Sequence, residues 1–319
     1  MKPTTGAEII IGGIVIADVI VKPVEKLPPR GQLTLVSDVS LSVGGCAANT
    51  ASAMARLGLQ VALIGRVGND EFGYFLRRAL ENEKIDCTAL ITDHHIPTSI
   101  TNVMVSSDGE RSFLHRFGAN AELMASDFRL DRFTSAKHLH LAGIYLNPRL
   151  EGQNMRSILK NARRAGLSTS IDTVWDPRGC WLKFIEPSLP LTDIFFANEG
   201  EAKMITGRRN LRRMADFILS YGVRTVVIKR GIAGSCVFTQ DAEITVPAFK
   251  VKSVDTTGAG DAYTGAFLLG VLRGWGLEKT ALFASAAGAI SVTGMGTTAV
   301  KGYRETLNFM NKTPKNEKQ

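Results

Sequence analysis

Asp255-Thr256-Thr257-Gly258-Ala259-Gly260-Asp261 is the stretch on which the reading of this chain turns. It follows a strand-like run over 249–254 and opens a helix whose interior spans 262–272. Glycines at 258 and 260 permit backbone conformations in which consecutive N–H groups converge on one point. The helix start behind them adds the positive end of its dipole, so the concavity suits a phosphoryl oxygen. Asp261 stands where a carboxylate can face both that anion hole and a substrate hydroxyl, as a general base must. The helix dipole is expected to keep it ionised near neutrality without further tuning. Taken alone, Gly-Ala-Gly-Asp serves equally well as a turn capped by Asp261. Two common nucleotide motifs are missing: no Gly-Lys dipeptide exists for a Walker A loop, and Tyr263 replaces the third glycine of G-x-G-x-x-G.

Outward from this segment, strand-like and helix-like runs alternate, which argues for a mainly parallel sheet with helices on both faces. The expected strands are 8–16, 61–67, 137–141, 167–172, 192–196, 225–229 and 235–239. The expected helices are 46–57, stopped by Gly58, then 70–84, 151–165, 199–206, 211–220, 261–272 and 277–292. Residues 17–43 and 97–117 break the rhythm. The first alternates apolar and polar residues without a helical period, and the second reads as a hairpin with Ser107-Asp108-Gly109-Glu110 at its tip. Both look like antiparallel strands projecting as a lid over a site at the strand ends. One domain over 1–311, followed by a frayed polar tail over 312–319, completes the expected organisation.

With 319 residues, 45% of them hydrophobic, the chain can bury a large core, which excludes disorder. No apolar run approaches the roughly 18–20 residues needed to cross a bilayer, and the polar opening Met1–Thr5 lacks a signal-peptide pattern, so no membrane association is expected. The four cysteines (Cys46, Cys87, Cys180, Cys236) show no C-x-x-C spacing, which leaves a reduced cytoplasm as the expected setting. The net charge of +8 is concentrated at Arg208, Arg209, Arg212 and Arg213, with no interleaved aromatics and no nucleic-acid-binding motif. An anionic small molecule explains it more simply than a nucleic acid.

The run D-T-T-G-A-G-D-A-Y-T-G-A-F over 255–267 closely resembles the second motif of the PfkB/ribokinase family of sugar kinases. Gly44-Gly45-Cys46-Ala47-Ala48-Asn49 resembles that family's first motif. Gly118-Ala119-Asn120-Ala121, Asn198-Glu199-Gly200-Glu201 and Lys229-Arg230-Gly231-x-x-Gly234 fall between them in the family's order, so the likeness spans about 8–310. The resemblance implies a ribokinase-like α/β fold and an ATP-dependent kinase acting on a hydroxyl of a sugar or related polyol. ATP and Mg²⁺, with a monovalent cation such as K⁺, are the implied cofactors. A nucleoside kinase of the same family and a non-catalytic sugar sensor remain as alternatives.

The resemblance also distributes roles. Asp261 becomes the base, with Gly258, Ala259 and Gly260 as the anion hole. Asp18, Gly44, Gly45, Asn49 and Asn120 become the sugar site. As bare residues Asp18 could begin a loop, and Gly44-Gly45 a helix-start turn. Asn198 and Glu201, three apart on one helical face, could order water around Mg²⁺ or simply cap the helix. Lys229, Gly231 and Gly234 become nucleotide contacts on what is otherwise a hairpin turn, and Ser285 part of the adenine wall. The monovalent cation falls to Asp255 and Thr257, with Glu201 the remaining metal-handling residue, and to backbone oxygens over 292–297. Some ribokinase-like chains carry lysine where Cys46 stands, which weakens ribose as the substrate. Val174 and Asp176 replace the Asn and Arg of ketodeoxygluconate-type relatives, which argues against an arginine clamp on a sugar acid. The lid's exposed apolar face is expected to pair with a second copy.

Overall fold

Ile9, Ile10 and Ile11 are wholly buried, with parallel neighbours on both sides, and so read as an unbroken apolar run rather than an alternating one. In the computed structural model, which describes residues 6–294 and 299–315, they open β1 (Ile9–Gly13). The further strands are β2 (Ile16–Lys22), β3 (Asp38–Gly44), β4 (Val61–Gly68), β5 (Leu90–Asp93), β6 (Ile100–Val105) and β7 (Arg111–Arg116). After them come β8 (His138–Ala142), β9 (Ser168–Asp172), β10 (Ile194–Asn198), β11 (Thr225–Lys229), β12 (Ser235–Phe238) and β13 (Glu243–Val246). A nine-stranded sheet has the order β13-β12-β11-β10-β9-β8-β1-β4-β5, parallel from β11 to β5 and antiparallel at the β12–β13 edge. This is the α/β architecture that the alternating pattern implied.

Helices cover both faces. On one lie α1 (Cys46–Arg56), α2 (Glu71–Asn82), α7 (Ala259–Leu272), α8 (Leu277–Ser291) and α9 (Tyr303–Lys312), packed with Ile9 and Ile11. On the other, Ile10 packs with α3 (Gln153–Arg164), α4 (Trp181–Ile185), α5 (Glu199–Thr206) and α6 (Leu211–Leu219). The alanines of α1 are fully buried at 47, 48, 51 and 53, and their small size lets α1 lie close against α7. His138 and His140 share one face of β8 and are also fully buried, hydrogen-bonded to Ser168 and Ser170 of β9 at 2.7 Å each. Among the described residues no helix is long and apolar enough to cross a membrane.

The second sheet has four strands in the order β3-β2-β6-β7. Its central pair, β2 and β6, is parallel rather than antiparallel, because the two segments come from crossovers and only the outer pairs are hairpins. The expected strand over 8–16 is two strands, and the chain passes from one sheet to the other at Ile14-Val15, both buried. The expected strand over 249–254 joins no sheet among the described residues and makes one isolated bridge, from Phe249 to Lys315. That bridge, with Lys250 N–H donating to the Pro314 carbonyl, ties down the start of the expected frayed tail; residues 316–319 lie outside the described residues.

Candidate active site

Chain order reverses on the two sides of β1, so a crevice opens at the carboxyl ends of β1 and β8, where open α/β sheets bind ligands. The residues that end neighbouring strands are polar: Asp172 closes β9, Asn198 closes β10 and Lys229 closes β11. Register places Asp172 beside Phe196 and Asn198 beside Lys229, so these side chains line one rim. The first turns of α1 and α7 meet the same rim.

Gly258 is left-handed (φ 75°) and caps α7, and the Ala259 N–H at the helix start donates to the Thr256 carbonyl at 3.3 Å. Asp261 sits in that first turn and accepts a 2.9 Å hydrogen bond from the Asn49 amide of α1. Burial raises its pKa to about 6, against the lowering effects of the Asn49 and Cys46 hydrogen bonds and the Lys229 charge, while Asp172 raises it further. The carboxylate is therefore still mainly ionised at neutrality, as expected, but it is not untuned: the desolvation cost of burying it exceeds the pull of the helix dipole. Cys46 lines the cavity beside this carboxylate, and burial pushes its thiol far up, so it is no nucleophile.

Asp18 lies in β2, paired with Ser42 of β3 and Thr101 of β6, so it faces inward from the second sheet. Its carboxylate occupies the space where a side chain at 44 would stand, which is why Gly44 is glycine. Gly45 (φ 90°) presses on the Ile14 backbone and caps α1. Both glycines thus make room for protein groups, where the sequence suggested space for a sugar ring. Burial raises the Asp18 pKa to about 6, offset in part by the Thr101 hydrogen bond and the charge of Arg111. Asn120 is fully buried and donates from Nδ2 to the Leu146 carbonyl at 3.3 Å, while its Oδ1 has no hydrogen-bond partner.

A cavity of about 760 Å³ adjoins this centre. Its walls include Asn198, Glu201, Lys229, Gly231, Gly234, Ser285 and the 258–261 turn, which gathers the expected nucleotide contacts around one space. The expected sugar residues Asp18, Gly44, Gly45, Asn49 and Asn120 lie outside its walls and connect to it through Cys46 and the Asn49–Asp261 bond. Ser285 donates to the Pro247 carbonyl at 3.0 Å. Asn198 and Glu201 form a reciprocal capping box, with Thr173 also donating to Glu201 Oε2 at 2.8 Å. The capping reading is therefore right, yet the Glu201 carboxylate is buried at the cavity wall and its pKa is raised, chiefly by burial. The cap thus also lines the cavity.

Among the described residues no cluster of three acidic, His or Cys side chains could hold a metal alone. The Asp255 carboxylate expected beside a monovalent cation has protein partners. The Asp255 carboxylate pairs with the Arg111 guanidinium of β7 and accepts the Thr257 N–H at 2.7 Å. Part of the expected 292–297 ring, Met295–Thr297, lies outside the described residues.

Arg111, Asp172 and Thr264 belong to this centre and were absent from the sequence-based set. Asp172 holds the Lys229 ammonium at 2.7 and 2.8 Å and accepts from the Thr264 hydroxyl at 2.7 Å. Lys229 ends the apolar run 226–228, but Asp172 follows the mostly polar 168–171 and carried no such signal. Asp176, by contrast, accepts the Arg178 and Trp181 N–H groups and is a turn residue.

A family model described as pfkB family carbohydrate kinase matches residues 7–301. A fructokinase of Salmonella typhimurium is 30% identical over 278 residues, covering 83% of this chain and 90% of its own. The Arabidopsis thaliana ribokinase solved with ribose and ATP superposes with a TM-score of 0.82 at 26% identity, covering 97% of this chain and 99% of its own. An Escherichia coli ribokinase II solved with ATP and Mg²⁺ gives 0.81 at 24% identity, covering 96% and 99%. The ribokinase-like fold and the family model over nearly the whole chain identify this protein as a member of the pfkB family of carbohydrate kinases, an ATP-dependent sugar kinase.

Proposed function

We propose that the chain transfers the γ-phosphoryl group of MgATP to a hydroxyl of a monosaccharide or related polyol held between Asp18 and Asp261. The observation that carries this reading is Asp261 in the first turn of α7, fixed by Asn49, at the junction of the large cavity and the second sheet. Asp18, a half-buried carboxylate on the lid, accepts acceptor hydroxyls. Asn49 and Asn120 complete the acceptor side, the latter through its unpartnered Oδ1, and Gly44 and Gly45 shape the floor. ATP occupies the cavity against Gly231, Gly234 and Ser285, with Asn198 and Glu201 beside its hydrated Mg²⁺. Mg²⁺, when bound, neutralises phosphate charge.

Asp261 takes the proton of the acceptor hydroxyl as that oxygen bonds to the γ-phosphorus and the bond to the β-phosphate oxygen breaks. The 258–260 amides face the charge on the transferring group. A monovalent cation is left out, because Arg111 holds the Asp255 carboxylate. The working unit is a dimer. Val39, Leu41 and Leu114 are exposed on the lid face opposite Asp18, by register, and a second copy covers them.

A coupled ADP-release screen over sugars, sugar phosphates and nucleosides tests the reading, run beside Asp261→Asn. That variant keeps the shape and loses the proton acceptor, so kcat should fall by on the order of 10²–10⁴. Calorimetric sugar and ATP affinities should stay within about threefold. Near-wild-type turnover in a folded variant overturns the mechanism, and a response confined to nucleosides moves the acceptor class.

A further inference from the structure

Lys229 and Asp172 end strands that flank β10, and their side chains meet above it. The Lys229 ammonium reaches both carboxylate oxygens of Asp172, at 2.8 and 2.7 Å, and lies 3.4 Å from Thr264 Oγ1. Thr264 is one turn beyond Asp261 on α7, and its hydroxyl donates to the same carboxylate. One cluster therefore ties β9, β11 and α7 together directly under the glycine-rich turn. A methyl group at 260 would stand 3.3 Å from Lys229 Nζ, which places the ammonium alongside the Gly260 backbone.

The cluster is nearly dry, with 15% of the Lys229 side chain and 3% of the Asp172 side chain exposed. Buried ion pairs contribute little net stability compared with well-packed apolar residues. Stability is therefore a poor reason for this pair to stand at the site, and its position points to electrostatics. An ammonium has three protons to donate, and here all three directions are taken by Asp172 and Thr264. None is left for a phosphate oxygen, so the group acts through its field.

We infer that Lys229, anchored by Asp172 and Thr264, is a positioning residue that sets the charge field in which Asp261 works, and is not a grip on the nucleotide. The inference rests on the reading of Asp261 as the base. The groups facing Asp261 are Cys46 and Asn49 from α1, Asp172 from β9 and Lys229 from β11, with Glu201 of α5 acting on Lys229. Without the ammonium, Asp261 would face the Asp172 charge uncompensated and hold its proton at neutral pH. With it, the carboxylate is free to accept one. The Lys229 charge is itself secure: burial opposes it, but Asp172, Glu201 and Asp261 together raise its pKa.

The test measures the Asp261 midpoint directly, by carbon-13 NMR titration of labelled aspartate in the unliganded protein, assigned by the signal lost in Asp261→Asn. Lys229→Met should raise the midpoint by about one pH unit and lower kcat/KM at pH 6.5 about threefold, with recovery toward pH 8. Lys229→Arg should hold the wild-type midpoint, and ATP KM should stay within about threefold in both. Asp172→Asn should move the midpoint down, which carries the test if Lys229→Met fails to fold. An unmoved midpoint in folded Lys229→Met, or a rise in Asp172→Asn, overturns the inference. So does a loss of ATP affinity that accounts for the whole loss of kcat/KM. The titration needs no turnover, so a protein that phosphorylates nothing in the sugar panel sinks the kinase reading separately.

Discussion

A carboxyl group that must accept a proton is useful only above its own pKa, and burial has moved Asp261 to about 6. Asp18 is raised to about the same value. Both are needed as carboxylates when free enzyme meets the acceptor, whereas the base alone limits the saturated complex. Log kcat/KM for the acceptor should therefore fall below pH 6 with a slope approaching two, and log kcat with a slope near one. Initial rates between pH 5 and 8 check this, and a flat profile down to pH 5 would contradict both shifts. Asp261 was legible in the sequence because its neighbours form a local motif. Arg111 and Asp172 were not, because each gains its meaning from a partner about 90 or more positions away, Asp255 and Thr264 respectively.

The second sheet reaches the glycine-rich turn through one buried pair, Arg111 of β7 with Asp255. Removing the guanidinium takes the charge partner from a buried carboxylate and, on the proposed function, loosens the sheet over the transferring group. Arg111→Ala should lower kcat/KM on the order of tenfold and raise sugar-independent ADP release. Comparing ADP release with and without acceptor checks it; an unchanged ratio would make the pair a surface tie. Helices with their own start signals, such as α5 with its Asn198–Glu201 box, could be read to the residue. The division between β1 and β2 could not, because Ile14 and Val15 are as apolar as their neighbours and hydropathy does not record a change of sheet. Nor did the alternation of apolar and polar residues over 249–254 reveal that it joins no strand ladder among the described residues.

Across the whole molecule, His138 and His140 form a neutral pair inside the main sheet, each held by burial at a pKa of about 3. The unfolded chain binds those protons near 6.5, so stability is full above that pH and declines as pH falls toward 3. Each histidine should contribute a slope of about 1.4 kcal/mol per pH unit in that window. Urea unfolding at pH 7 and pH 5 checks this against His138→Gln/His140→Gln, in which the difference between the two pH values should shrink. At the same scale, Leu41→Glu on the outer lid face should convert a dimer to a monomer in light scattering at micromolar concentration. A wild-type monomer there would remove the second copy from the proposal. The passage of the chain between the sheets at Ile14-Val15 has a mechanical corollary. Gly45 and Gly143 press against Ile14, and Gly65 lies against Val15, so this two-residue axle is clamped on several sides by the interior. The flap above it can swing only if the clamp yields. If acceptor release requires the flap to lift, the molecule's own centre has to slacken with it.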